Sequence, residues 1–323
     1  MAESRAQGGT GPDPISNRTN WSVSATPVPQ SDGTTRLLLA IKSGHAIDDA
    51  GVTPLDETPE VVPADEWADE PGRSHLEAAA QLGPPAPGRQ FYVHGSMPVP
   101  DGGRRPVEAA MTITSAGGER LAERRIAATP AARWGAVMGM RRVEYDEWDG
   151  QALPLDWSLA YGGICPRTGL YHPENPAGVG FRRRGRPQDG EPLPRFHPAN
   201  AMWKRAWAKS EPSGLGPLPV RDPQDPRRAP REQRLPGEWE PGDQVTMRGL
   251  AGTTPDTVVD FRLPPFRPVV QLVHGRHFRR VEGRCDTLIV NTTVPACYLL
   301  WRSEIVYRPG GDSPALVVDQ ASG

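Results

Sequence analysis

Proline and glycine interrupt this chain so often that long helices are ruled out. There are 38 Pro and 35 Gly among 323 residues. Inside a helix Pro costs ~3 kcal/mol and Gly ~1 kcal/mol relative to Ala. A helical bundle or coiled coil cannot be built from such text, whereas a β protein can place these residues in its turns. Hydrophobic content is 37% and charged content 24%, the balance of a globular chain. A chain of this length can bury a large core without disulfide or metal staples.

Strand signals recur along most of the length. Val23 opens an alternating stretch, Ser31-Asp32-Gly33 supplies a turn, and Arg36 to Ile41 is apolar, which predicts a hairpin. Residues 52–75 are acidic and Pro-rich and read as a loop crossing the surface. Phe91 to Val99 is a strand candidate. Val107, Ala109, Met111 and Ile113 alternate, Ser115 to Gly118 can turn, and Arg120 to Ile126 can return. Gly139 to Tyr145 follows. After Gly237 come Gln244–Leu250, with Val245 and Met247 on one face, and Thr257–Leu263, with Val259, Phe261 and Leu263 inside. Pro268–His274, Thr287–Asn291, Cys297–Arg302, Glu304–Arg308 and Leu316–Asp319 continue the series. The reading is mainly β, an antiparallel sandwich or open barrel with little helix.

Two regions depart from that pattern. Residues 1–16 are small, polar and Pro/Gly-rich and read as a disordered leader; no apolar centre of a signal peptide is present. Residues 17–323 then form a single β-rich domain. Within it, 146–235 reads as an irregular subdomain, rich in Pro and Gly and anchored by Trp148, Trp157, Trp203 and Trp207. Its helix-like window is Pro198 to Lys209. These rings can fill a core or be displayed for binding, and the sequence leaves both open.

Charge excludes several roles. Thirty-seven basic residues against 39 acidic leave a formal charge of −2. No global field draws the protein to nucleic acid or an anionic membrane. No run approaches 18 apolar residues, so a spanning helix is not expected. Three cysteines, Cys165, Cys285 and Cys297, suit reduced thiols in a cytoplasm.

Reactive constellations are sparse. His274, His277, Cys285 and Cys297 are ligand-type residues, but no C-x-x-C pair exists. The two histidines, three apart on one expected strand, would face opposite ways, so no metal is expected. Tyr161-Gly162-Gly163 and Gly178-Val179-Gly180 lack the strand-then-helix setting of a phosphate loop, so no cofactor is expected. Arg182 to Arg186 is a basic patch beside Phe181, and arginine there suits a protein interface better than nucleic acid. His172 or His197 with Asp156 or Glu174 could do acid–base work in a hydrolase or lyase.

A set of ordered blocks narrows the reading. They are Leu153-Pro154-Leu155-Asp156-Trp157-Ser158-Leu159-Ala160-Tyr161-Gly162-Gly163 and Asn175-Pro176-Ala177-Gly178-Val179-Gly180-Phe181. Leu193-Pro194, Gly214-Leu215-Gly216-Pro217 and Ala229-Pro230-Arg231-Glu232-Gln233-Arg234 come next. Asp286-Thr287-Leu288 and Trp301-Arg302 close the series. Together they resemble a bacterial family designated domain of unknown function 2169, whose members are encoded beside PAAR-like spike-tip effectors of type VI secretion. The resemblance runs from about Asn17 to the end. One departure stands out: only Val220 to Arg228 bridges the gap where members usually carry a further segment.

The resemblance implies a non-catalytic adaptor or chaperone in the bacterial cytoplasm that binds an effector with a PAAR-like region. The candidate contact residues are Trp157, Tyr161, Gly162, Gly163, Tyr171, Asn175, Pro176, Gly178, Gly180, Phe181, Arg182 and Arg183. The glycines would set turns that project Tyr161, Tyr171 and Phe181. No catalytic residue and no metal is implied. The alternatives are the hydrolase above and a structural component of a contractile injection particle.

Overall fold

The computed structural model describes residues 15–48, 51–183, 185–199, 212–218, 225–274, 277–308 and 315–322. Among these the chain is strand joined by turns and irregular segments, with two short 3-10 turns at Trp157–Leu159 and Arg231–Gln233. The expected helix at Pro198–Lys209 lies, from residue 200 on, outside the described residues, as do Trp203, Trp207 and most of the leader. Ile15 and Ser16, assigned to that leader, instead join Asn17 in a strand parallel to Ala315–Ser322.

The largest sheet is seven-stranded and mixed. Its path runs Arg234–Leu235, Arg89–His94, Arg284–Asn291, Ala296–Tyr307, Thr35–Asp48 and Ser22–Pro29, with Gly51–Pro54 also pairing Thr35–Asp48. Arg89–His94 and Arg284–Asn291 run parallel, a departure from the all-antiparallel expectation. The predicted hairpin is present: Ser22–Pro29 pairs antiparallel with Thr35–Asp48, and Gly33 turns at φ +79°. A second, five-stranded sheet runs Phe196–Pro198, Arg120–Ala128, Val107–Thr114, Gln244–Arg248, Val258–Arg262, all antiparallel. A third has four strands and includes Phe266–His274 and His277–Val281. Among the described residues no sheet closes into a barrel.

Alternation explains the core. Leu37, Leu39 and Ile41 of the first sheet meet Ala109, Met111, Ile113, Val245 and Met247 of the second and Val270, Leu316 and Val318 of the third in one apolar cluster. The cluster also takes in Trp148, Leu153, Leu155 and Trp157 from the irregular middle. Those two Trp rings are therefore core, not display.

The opposite face of the large sheet is covered as well. Ala40 and Leu300 pack against Val61, and Tyr92 and Ile289 pack against Leu76 and Ala79. The acidic, Pro-rich stretch read as a surface loop over 52–75 thus begins as a sheet strand ending at Pro54, and residues 55–82 form a lid pressed onto the sheet. Double cover is why Thr35–Asp48 reads as continuous burial rather than alternation.

Candidate partner-binding site

The glycine blocks build a backbone clamp. Tyr161–Gly162 lies parallel to Val179–Gly180, with Tyr161 opposite Val179 and Gly162 opposite Gly180. Val179 N–H donates to Ala160 O and Phe181 N–H to Gly162 O, both at 2.9 Å. His172 N–H donates to Gly163 O at 2.9 Å, and Gly163 N–H to Asn175 O at 2.8 Å. The Asn175 side chain completes the knot: its Nδ2 donates to Trp157 O at 2.9 Å and to Tyr161 O at 3.0 Å. Asp156 caps the preceding 3-10 turn by accepting from Ser158 N at 2.8 Å.

Close approach explains the glycines. Gly163 has φ +86°, and a Cβ there would collide with Gly178 O. Gly178 has no positive φ; a Cβ there would run into Ala160 O, so contact rather than conformation demands glycine.

The aromatic residues divide differently from the expectation. Tyr161 and Phe181 do not project. They meet His172 edge-on, at 5.4 Å and 4.9 Å between ring centres, and each other at 6.3 Å. Tyr171 does turn outward, 38% exposed, with the Arg73 guanidinium 5.5 Å from its ring. Beside it stand Ile164 and Leu170, 48% and 47% exposed, which the sequence reading missed. Ile164 and Tyr171 bridge as antiparallel partners across a turn closed by Gly169 N–H on Cys165 O at 2.9 Å. The Cys165 thiol is drawn down to about 6, first by the Thr168 hydroxyl and then by Arg183 N–H.

Other candidate residues act from behind. Trp157 is 2% exposed and its Nε1 donates to Gly216 O at 3.0 Å, while Asn175 and Gly162 are buried. Asn175 and Gly162 are withdrawn from the surface and Trp157 shows only a small edge, toward the cleft described below, so in the clamp these three act as supports. Arg182 is bound to Glu191 and to Arg186 O; Arg183 is exposed, Pro176 half-buried, and Arg184 lies outside the described residues.

The remaining blocks form a buried polar chain. Asp286 accepts from Ala86 N at 2.7 Å and from the Thr287 hydroxyl at 2.7 Å, with Arg302 Nε 3.5 Å away. Burial pushes the Asp286 carboxyl up, and Arg302 leads the groups that pull it back. Arg302 and Gln90 both donate to Thr287 Oγ1, and Gln90 Oε1 accepts from Arg228 N and Ala229 N. Arg228 pairs with Asp65 at 2.9 Å, and Gln233 Nε2 donates to Phe91 O and Leu215 O. Breaking such a buried pair by removing one partner costs ~3–5 kcal/mol.

The acid–base residues do not form a paired set. His172 Nδ1 accepts two backbone N–H groups, from Glu174 and Asn175, and the Glu174 carboxylate acts on the ring through its charge alone, against the larger effect of burial. His197 is buried in the sheet strand Phe196–Pro198, and burial depresses it to about 4. His274 and His277 sit on two strands of one hairpin as register partners, which corrects their assignment to one strand. Cys285 and Cys297 are buried, their thiols pushed up by desolvation. Among the described residues no three metal-ligand side chains gather.

A cleft of about 440 Å³ opens between the lid and the outer face of the large sheet. Lys42, His94 and Tyr298 line it from the sheet, Leu76 and Gln81 from the lid, and Asp156, Trp157 and Gly216 from the block turns.

An all-β protein, with block residues spent on a rigid clamp and a lidded sheet, is the class defined here. The profile described as "Uncharacterized protein conserved in bacteria (DUF2169)" matches residues 32–229 and 221–302, and the chain belongs to that family. The two matched stretches overlap over 221–229, which takes in nearly all of the short bridge Val220–Arg228 noted in the sequence. No curated protein and no solved structure gives a significant match.

Proposed function

We propose that this protein is a non-catalytic adaptor, or chaperone, of type VI secretion. It binds an effector through the effector's PAAR-like region in the bacterial cytoplasm and helps load it onto the spike. The observation that carries the reading is the exposed tip Ile164, Leu170 and Tyr171, held on a turn whose backbone the family blocks fix. Exposed apolar groups clustered on a rigid support are what a docking surface offers, and a preset backbone lowers the ordering cost of binding. Tyr171 and Arg73 add residue types common at binding hot spots.

The test is secretion of the neighbouring spike-tip effector from cells that carry or lack this protein. The effector is expected to lose solubility and to stop being secreted without it. Ile164→Asp with Leu170→Asp is expected to reproduce that loss while the protein's own melting temperature stays within a degree or two. Equal solubility and secretion in its absence contradicts the reading.

A further inference from the structure

Lys42 is the least expected residue in the large sheet. It sits mid-strand in Thr35–Asp48, is 5% exposed, and yet borders the cleft. Its Nζ donates to Glu60 O at 3.1 Å and lies 5.0 Å from the Tyr298 ring centre. Among the described residues no carboxylate comes within ion-pair distance of it, although Glu66 attracts it from further off. An ammonium has three N–H donors, so two remain for something in the cleft. A buried cation kept without a paired carboxylate is costly, and such groups concentrate at binding sites.

The rest of the cleft limits what can be received. Leu76, Leu155, Trp157 and Ile289 give it apolar walls. Asp156 and Glu77 also border it, and no arginine does among the described residues. Asp156 and Glu77 border the cleft away from the Lys42 ammonium, so a ligand is attracted where it touches Lys42, and one cation with no arginine beside it matches a single negative charge better than a dianion such as phosphate. A volume of this size lies within the range of ligand sites.

We propose that the cleft binds a monoanionic carboxylate borne on an apolar body, with Lys42 as the group that receives it. The carboxylate is either a peptide chain end or a free organic acid. This site is separate from the apolar tip and goes beyond the adaptor reading.

The test is calorimetry on the full chain at pH 7 with N-acetyl-leucine and with N-acetyl-leucinamide, which differ in the charge alone. The acid is expected to bind at least tenfold more tightly than the amide. Lys42→Met is expected to abolish that preference. Acetyl-Ala-Ala-Leu and its amide form the second arm: tighter binding of the tripeptide acid than of N-acetyl-leucine assigns the carboxylate to a chain end, and no gain assigns it to a free acid. Equal binding of acid and amide to the wild type, or binding of neither acid, overturns the proposal, whether or not the variant folds. Effector secretion involves none of these probes, so failure here leaves the adaptor reading standing.

Discussion

Gly163 and Gly178 show how a single hydrogen in place of a side chain shapes the clamp. Gly163→Val meets both a left-handed φ and the Gly178 carbonyl, while Gly178→Val, free of φ strain, meets the Ala160 carbonyl and the Asn175 amide that ties the clamp. Strain and overpacking each cost ~1–3 kcal/mol, so both variants are expected to lose about 2–4 kcal/mol in urea unfolding, Gly163→Val the more. Gly190 is the control: its φ is +78° with nothing within 4 Å of a Cβ, so Gly190→Ala is expected to cost only about 1 kcal/mol. Equal losses at all three positions would show that close approach is irrelevant. Three histidines carry a second expectation. His45, His94 and His197 are held down to about 4, in each case chiefly by burial. Below pH 6.5 the unfolded chain takes up protons that the folded core refuses, so stability present above pH 6.5 is lost as pH falls toward 4. Each pKa unit is ~1.36 kcal/mol per group, and His197→Leu is expected to flatten the acid slope of unfolding free energy by about one proton. A slope unchanged by that substitution would contradict burial as the cause.

Among the elements, the Ala132–Val137 and Met140–Tyr145 hairpin carries an unusual turn. Met138 has φ +50°, the one positive value for a non-glycine residue among those described, and is 95% exposed. A two-residue hairpin turn favours Asn at such a position. Met138→Asn is expected to raise stability by about 0.5–1 kcal/mol, read as a higher urea midpoint at constant slope; a lower midpoint would show that the methionine earns its place by packing. This scale is also where the sequence was most legible. Alternation and a Gly turn placed Val107–Thr114, Gln244–Arg248 and Val258–Arg262 within a residue or two, because each has one wet face. Legibility failed where both faces are dry. Only Arg36–Ile41 of the Thr35–Asp48 strand stood out, and Ala296–Tyr307 was read as two strands. The parallel pairing of Arg89–His94 with Arg284–Asn291 joins segments far apart in the chain, and no local turn announces it.

Over the whole molecule, the family blocks were visible as text but not as roles. Trp157, Asn175, Gln233, Asp286 and Arg302 were legible as block members; their use as buried clamps depends on contacts between distant segments. The tip residues Ile164 and Leu170 fall between blocks and carry no pattern of their own. Lys42 falls just past the apolar run Arg36–Ile41 and carries no signal of its own, and the lid over it makes the cleft. The function proposed above is that of a β scaffold that works by presenting a surface. Its most direct test is light scattering during size-exclusion chromatography of this protein mixed with an effector of the proposed class, one that carries a PAAR-like region. The account predicts a stable complex that Ile164→Asp with Leu170→Asp disperses into separate peaks. Two independent peaks for the wild-type mixture, or a complex indifferent to those substitutions, would contradict it.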